Sequence, residues 1–182
     1  MIENVKTQII IEVMNNTPEF WIEKLKLQPH PEGDYYRETY RCSEVIPHNS
    51  LPKRYTAERS FATAIYFLLK SNQVSAFHRI QSDEQWHFYQ GSSVEVYIIT
   101  HTGQLQKHTL GTDVDGGDEF QLIIPFGCWF AARVPKPDSF ALVGCCVSPG
   151  FDFHDFELAD AKSLLEHYPQ HSELIRMFNR KM

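Results

Sequence analysis

The chain has 182 residues, 42% of them hydrophobic and 13% aromatic, enough for one domain with a sizeable core. A net charge of −6 leaves no basic footprint for nucleic acid or anionic lipid, so the expected partners are small molecules or other protein chains. No stretch approaches the ~20 apolar residues of a membrane span. The start, Met1 to Met14, sets Glu3 and Glu12 around a short isoleucine run, unlike a signal peptide.

The segment 1–27 reads as helical. Thr17 supplies an N-cap, Pro18 the first helical position, and Phe20, Trp21, Leu25 and Leu27 a buried face. From Tyr35 to Phe156 the signals are those of strands, clearest at 62–69, 94–100, 105–110, 120–124, 128–133 and 140–147. Turns fall at 101–104, 111–118, 125–127 and 135–138. The stretch Arg41 to Arg59, with Pro47 and Pro52, reads as a long loop, a candidate lid over a pocket or an arm towards a partner. After Glu157 the period changes: Leu158, Ala161, Leu164, Leu165 and Tyr168 recur at helical spacing, Pro169 stops that helix, and a second runs over 172–178. Many short strands without βαβ alternation predict a sandwich or barrel. Cys42, Cys128, Cys145 and Cys146 include an adjacent pair with poor geometry for a bridge, so reduced thiols and a cytoplasmic setting are expected.

The segment from Ser75 to Gly91 concentrates the chemistry: His78, Asp83, Glu84, Trp86 and His87 stand in a strand-like context. Imidazole and carboxylate so close together can bind a metal or move a proton, provided they converge. Alternation along a strand groups Glu84, Trp86 and Phe88 on one face and turns Gln85, His87 and Tyr89 to the other. A turn over 80–83 would set His78 and Glu84 on one interior wall.

This segment resembles the first motif of the cupin superfamily, which carries two histidines, a glutamate and a closing glycine. His78, Glu84 and Gly91 match, while Ile80 replaces the second histidine and Asn72 the opening glycine. The second cupin motif is similar to the stretch from Glu119: Pro125 and Gly127 match, and Phe130 takes the histidine position. The runs 30–40, 64–69, 77–79, 83–87 and 147–157 resemble the DUF985-like subfamily, often labelled predicted sugar epimerase, and the resemblance extends over about 18–170. It implies an all-β fold, a double-stranded β-helix or jelly-roll cupin barrel over about 35–156, with flanking N- and C-terminal α-helices in a single cupin domain, 1–182. It also implies a homodimer.

For function the resemblance implies a small-molecule site, with a sugar or nucleotide-sugar as the ligand class. An epimerase- or isomerase-like reaction would use His78 as base, oriented by Glu84, with Tyr36, Tyr40, Tyr66, Tyr89 or Tyr97 returning a proton. His78 and Glu84 are then expected within hydrogen-bonding reach of each other or across one water. Trp86 and Phe130 are candidates to stack on a ligand; Arg59, Arg37 and Arg79 are candidates to grip a phosphate or carboxylate, and Tyr66 to line the site. Metal-binding cupins use three histidines and a glutamate, and with Ile80 and Phe130 in two of those places no cofactor is expected; a metal would need His78, Glu84 and His87 together. The alternatives are a non-catalytic ligand-binding or storage-type cupin and a metal-dependent cupin enzyme. His154 with Asp152 and Asp155 resembles a ligand cluster in composition, but the surrounding Phe151, Phe153 and Phe156 predict an aromatic anchor.

Overall fold

In the computed structural model, which describes residues 17–178, the chain opens with helix α1 (Pro18–Leu25). The Thr17 side chain accepts a hydrogen bond from the Phe20 N–H at 3.2 Å, and Pro18 stands where its missing N–H leaves no bond unmade. The helical expectation for residues 1–16 lies outside the described residues. Short strand β1 (Gln28–Pro29) and β2 (Tyr35–Arg41) follow, then the small pair β3 (Val45–Ile46) and β4 (Arg59–Ser60). The longer strands are β5 (Thr63–Lys70), β6 (Ser75–Arg79), β7 (Asp83–Gly91), β8 (Val94–Ile99), β9 (Leu105–Leu110), β10 (Gln121–Ile124), β11 (Trp129–Arg133) and β12 (Phe140–Ser148). Strand β13 (Glu157–Leu158) leads into helices α2 (Ala161–His167) and α3 (Ser172–Met177).

The strands form two large antiparallel sheets, ordered β1-β2-β5-β12-β7-β10 and β13-β6-β11-β8-β9. They close face to face as a jelly-roll barrel. Alternation puts Phe67, Trp86, Val143 and Cys145 of the first sheet against Val96, Ile98, Phe130 and Ala132 of the second, all buried. Two further apolar layers fix the flanking helices. On the outside of the five-stranded sheet, Phe77, Tyr97 and Trp129 pack on Leu164 of α2 and on Ile175 and Phe178. On the outside of the six-stranded sheet, Leu68, Phe140 and Leu142 pack with Trp21, Ile22 and Leu25 of α1.

Both motif glycines have a backbone reason. Gly91 ends β7 with φ +99°, and a Cβ there would run into the Phe140 carbonyl. Gly127 turns with φ 71° and donates its N–H to the Ile80 carbonyl at 2.8 Å, tying the second motif to the first.

Two expectations change. Leu158 does not begin the helix: it pairs with His78 across β6, where its backbone covers a sheet edge. The 41–59 stretch is not a free lid. It contains β3, a short turn of helix (His48–Ser50) and β4, and it is pinned to the β6–β7 turn. Arg54 Nε donates to the Gln81 carbonyl at 2.7 Å, and the buried Tyr55 hydroxyl lies 2.9 Å from Ser82 Oγ.

Candidate functional site

Inside the barrel a cavity of about 270 Å³ has a polar floor and aromatic walls. His78 anchors the floor. It points inward from β6, and both ring nitrogens are engaged: Nδ1 lies 2.7 Å from the Ala76 carbonyl oxygen and Nε2 2.9 Å from Glu32 Oε2. A carbonyl only accepts, so Nδ1 carries a hydrogen; with Glu32 ionised, Nε2 carries one too, and the ring is an imidazolium. Burial alone would push the His78 pKa down, but the Glu32 charge and hydrogen bond, the Ala76 carbonyl and the Glu84 charge together raise it. For Glu32 burial pushes upward and is outweighed by His78, His30 and the Ser75 hydroxyl, so its carboxyl lies below the usual range.

Glu32 sits in the tight connection between β1 and β2, closed by hydrogen bonds from the His30 N–H to the Asp34 carbonyl and from the Gly33 N–H to the His30 carbonyl. Its own N–H donates to His30 Nδ1 at 3.3 Å, which makes that nitrogen an acceptor. Burial pushes the His30 pKa down, with the His78 charge adding to it against Glu32, so His30 is a neutral ring with its hydrogen on Nε2.

Glu84, from β7, shares the cavity. Oε1 accepts from the Trp86 indole N–H at 3.0 Å, and the Cys145 thiol is a further hydrogen-bonding neighbour. Burial, reinforced by the Glu32 charge and only partly countered by His78, raises its pKa to about 7. Cys145 is pushed well above its ordinary value by burial and by the two carboxylates, which keeps it a thiol.

Tyr36, Phe67, Trp86, Phe151, Phe153 and Phe156 supply the walls. The mouth is marked by the exposed Phe153 and by Arg41 and Glu38 of β2. The segment bearing the three phenylalanines is held by a buried ion pair: Arg59 Nε and Nη2 donate to the two Asp155 oxygens at 2.7 and 2.5 Å. A larger cleft, about 450 Å³, opens between β6, β13 and the C-terminal helices; it is mainly apolar, and its Asp160 caps α2.

Of the residues singled out from sequence, His78, Glu84 and Trp86 come together in the cavity. His78 and Glu84 are expected within hydrogen-bonding reach or across one water; both face the cavity, but the direct partner of the His78 ring is Glu32. Phe130 lies behind the wall as the cross-strand neighbour of His78, ring centroids 3.9 Å apart, occupying space beside the imidazole. The arginine candidates and Tyr66 are elsewhere. Arg59 is consumed by Asp155; Arg37 lies over the Tyr66 ring on the outer face of the six-stranded sheet, where Tyr66 packs on Tyr89. Arg79 bridges to Glu157 and covers Trp129 on the outside of the other sheet. Strand alternation accounts for Arg37, Tyr66 and Arg79, since Tyr36, Phe67 and His78 beside them point inward. His87 likewise stands opposite Glu84 and Trp86 on β7. Among the tyrosines named, Tyr36 alone lines the cavity.

Sequence reasoning missed Glu32, His30, Arg41 and Cys145. The first two stand in the polar run before β2, but only the closing of β1–β2 over β6 shows that they face His78.

A metal does not fit this donor set. Two of the four positions that cupin metal sites use are the buried Ile80 and Phe130, and both His78 nitrogens are already satisfied. Among the described residues no group of three or more His, Cys, Asp or Glu side chains is arranged around a common ion position. His154 pairs with Asp152 at 2.6 Å on the surface, apart from Asp155.

Residues 19–159 match the family described as cupin superfamily (DUF985). Protein SO0799 from Shewanella oneidensis is 38% identical, with a TM-score of 0.81 over 91% of this chain and 99% of that one. A hypothetical protein from Leishmania major is 32% identical, with a TM-score of 0.82 over 91% and 100%. The uncharacterized protein YML079W of Saccharomyces cerevisiae is 25% identical over 155 residues, 80% of this chain and 77% of that protein. The motif residues, the barrel and this match agree: the chain belongs to the DUF985 family of the cupin superfamily.

Proposed function

We propose that the cavity binds a small carbonyl compound of the sugar class and moves a proton on the carbon beside the carbonyl, an epimerase- or isomerase-like reaction. The observation that carries this reading is the convergence of Glu84, the His78–Glu32 pair and neutral His30 on the floor of one aromatic-walled cavity. Glu84, with a pKa of about 7, is the group suited to take and return a proton near neutral pH. This moves the base from His78, whose nitrogens are both occupied, to Glu84. As the C–H electron pair passes to the carbonyl oxygen, the developing charge meets the buried imidazolium and an N–H from His30 Nε2. In an isomerisation Glu84 itself returns the proton; in an epimerisation Tyr36, which lines the cavity, would supply one from the other face and recover its own from solvent while Glu84 releases the one it took.

About 270 Å³ lies just below the ~300–1,000 Å³ typical of small-molecule sites, so the reacting unit is compact and any larger appendage projects from the mouth. The aromatic walls suit the apolar faces of a sugar ring. The homodimer and the cytoplasmic setting belong to the same proposal. Four unbridged cysteines support the second; a monomer mass by light scattering would count against the first.

The experiment is incubation with a panel of aldoses, ketoses and their phosphates in D2O, read by NMR. Deuterium should enter the carbon beside the carbonyl, and Glu84→Gln should slow this by about 10²- to 10⁴-fold. Exchange unaffected by Glu84→Gln would remove Glu84 as the base, and no exchange with any compound that binds would leave a binding protein without this chemistry.

A further inference from the structure

Among the described residues lining the cavity Arg41 is the one arginine or lysine, and it also lines the groove outside it, where Arg59, already paired with Asp155, and the carboxyls of Glu58 and Asp152 stand beside Ser60 and His154. It thus stands where the interior meets the surface. Its guanidinium is held by three hydrogen bonds. Nε and Nη2 donate to the two Glu38 oxygens at 3.1 and 2.7 Å, and Nη1 donates to the Phe151 carbonyl at 3.0 Å.

The two bonds to Glu38 are the fork in which a guanidinium grips any planar or tetrahedral oxyanion. Both side chains are about four-tenths exposed, 44% for Arg41 and 40% for Glu38, and ion pairs so exposed contribute little to stability. Glu38 is therefore easily displaced. The bond to the Phe151 carbonyl is independent of Glu38 and would keep the guanidinium in place afterwards. On the floor, by contrast, the His78 imidazolium is already paired with Glu32 and has both nitrogens engaged, and Glu84 adds a second carboxyl, so a phosphate finds no open cation there. An anionic ligand has one favourable orientation, neutral end inward and charged end at Arg41.

We propose that Arg41 is the anion receptor of this site and that Glu38 occupies it until a ligand phosphate or carboxylate takes its place. Resting on the carbohydrate reading above, this makes the ligand an acidic sugar derivative, most simply a sugar phosphate. The carbonyl end lies on the floor and the phosphate lies against the Arg41 fork at the mouth, short of the Glu58 and Asp152 carboxyls of the outer groove.

The test is calorimetric titration of inorganic phosphate, fructose and fructose 6-phosphate into the wild-type protein, Arg41→Gln and Glu38→Gln, at constant ionic strength. The wild type should bind inorganic phosphate, and should prefer fructose 6-phosphate over fructose by at least ~10-fold. Arg41→Gln should abolish that preference, and Glu38→Gln should tighten both phosphate probes by more than it changes fructose. Equal affinity for the two sugars, a preference surviving in Arg41→Gln, or no binding of either phosphate probe would overturn the proposal. Arg41-dependent phosphate binding with no proton exchange supports the receptor and counts against the proton-transfer reading. Exchange on uncharged sugars, indifferent to Arg41, does the reverse.

Discussion

His78 and Glu32 form a buried ion pair, 2.9 Å across, between a strand of one sheet and the turn that leads into the other. The pair sets the charge of the cavity floor. It holds the imidazole as a cation and places one carboxylate near Glu84, whose own proton is retained to about pH 7 partly for that reason.

Removing the partner should reverse the state of the histidine. In Glu32→Gln, burial becomes the dominant influence on His78 and its pKa should fall below the ordinary 6.5, leaving it neutral at pH 7. Two-dimensional NMR of the ring nitrogens reads this directly; an imidazolium persisting at pH 7 would contradict the assignment. Because the histidine sheds its proton and leaves no stranded charge, the loss should destabilise the fold by less than the ~3–5 kcal/mol range for breaking a buried pair. In the wild type the raised His78 pKa contributes stability fully below 6.5, lost as pH rises through its folded value. The lowered Glu32 pKa contributes above 4.5, lost as pH falls through its folded value.

Glu84 has the linkage opposite to that of Glu32. Between pH 4.5 and about 7 the folded protein keeps the Glu84 proton while the unfolded chain releases it, so stability falls as pH rises through that window. The shift corresponds to roughly 3 kcal/mol at 1.36 kcal/mol per pKa unit. Glu84→Gln keeps an oxygen for the Trp86 indole and cannot ionise. Urea unfolding at pH 5 and pH 8 should show its stability relative to wild type increasing at the higher pH; the same difference at both would argue against a perturbed carboxyl.

The Arg59–Asp155 pair should matter for both stability and binding. Its side chains are only 3% and 4% exposed, so Asp155→Ala strands a buried guanidinium, at a cost of about 3–5 kcal/mol. Because this pair holds Phe151, Phe153 and Phe156 against the cavity, ligand affinity should fall as well. A loss within ~0.5 kcal/mol by denaturant titration, typical of an ordinary surface site, would refute this.

Protein purified without added metal should contain well under one equivalent of zinc, iron, nickel or manganese by elemental analysis, and chelation should leave proton exchange unchanged. Stoichiometric metal lost together with exchange would require the side chains around His78 to rearrange.

Strand periodicity legible in the sequence placed Glu84 and Trp86 on one face and His87 on the other, while the resemblance to the cupin motifs marked Ile80 and Phe130 as apolar occupants of polar positions. These are local properties: alternation follows from backbone geometry, and Gly91 and Gly127 stand where the turns demand them. The partner of His78 was not legible. Glu32 reaches it only because β1 and β2 return over β6, and no spacing along one strand encodes such a meeting. The arginines divide for the same reason. Arg37, Arg59, Arg79 and Arg41 are alike as residues, but outward alternation, Asp155 and Glu157 engage the first three elsewhere, leaving Arg41 at the mouth. Sequence determined which side chains each strand presents to its two faces; only the closure of one sheet over the other decided which of them meet, because charge pairing and burial depend on distances through space.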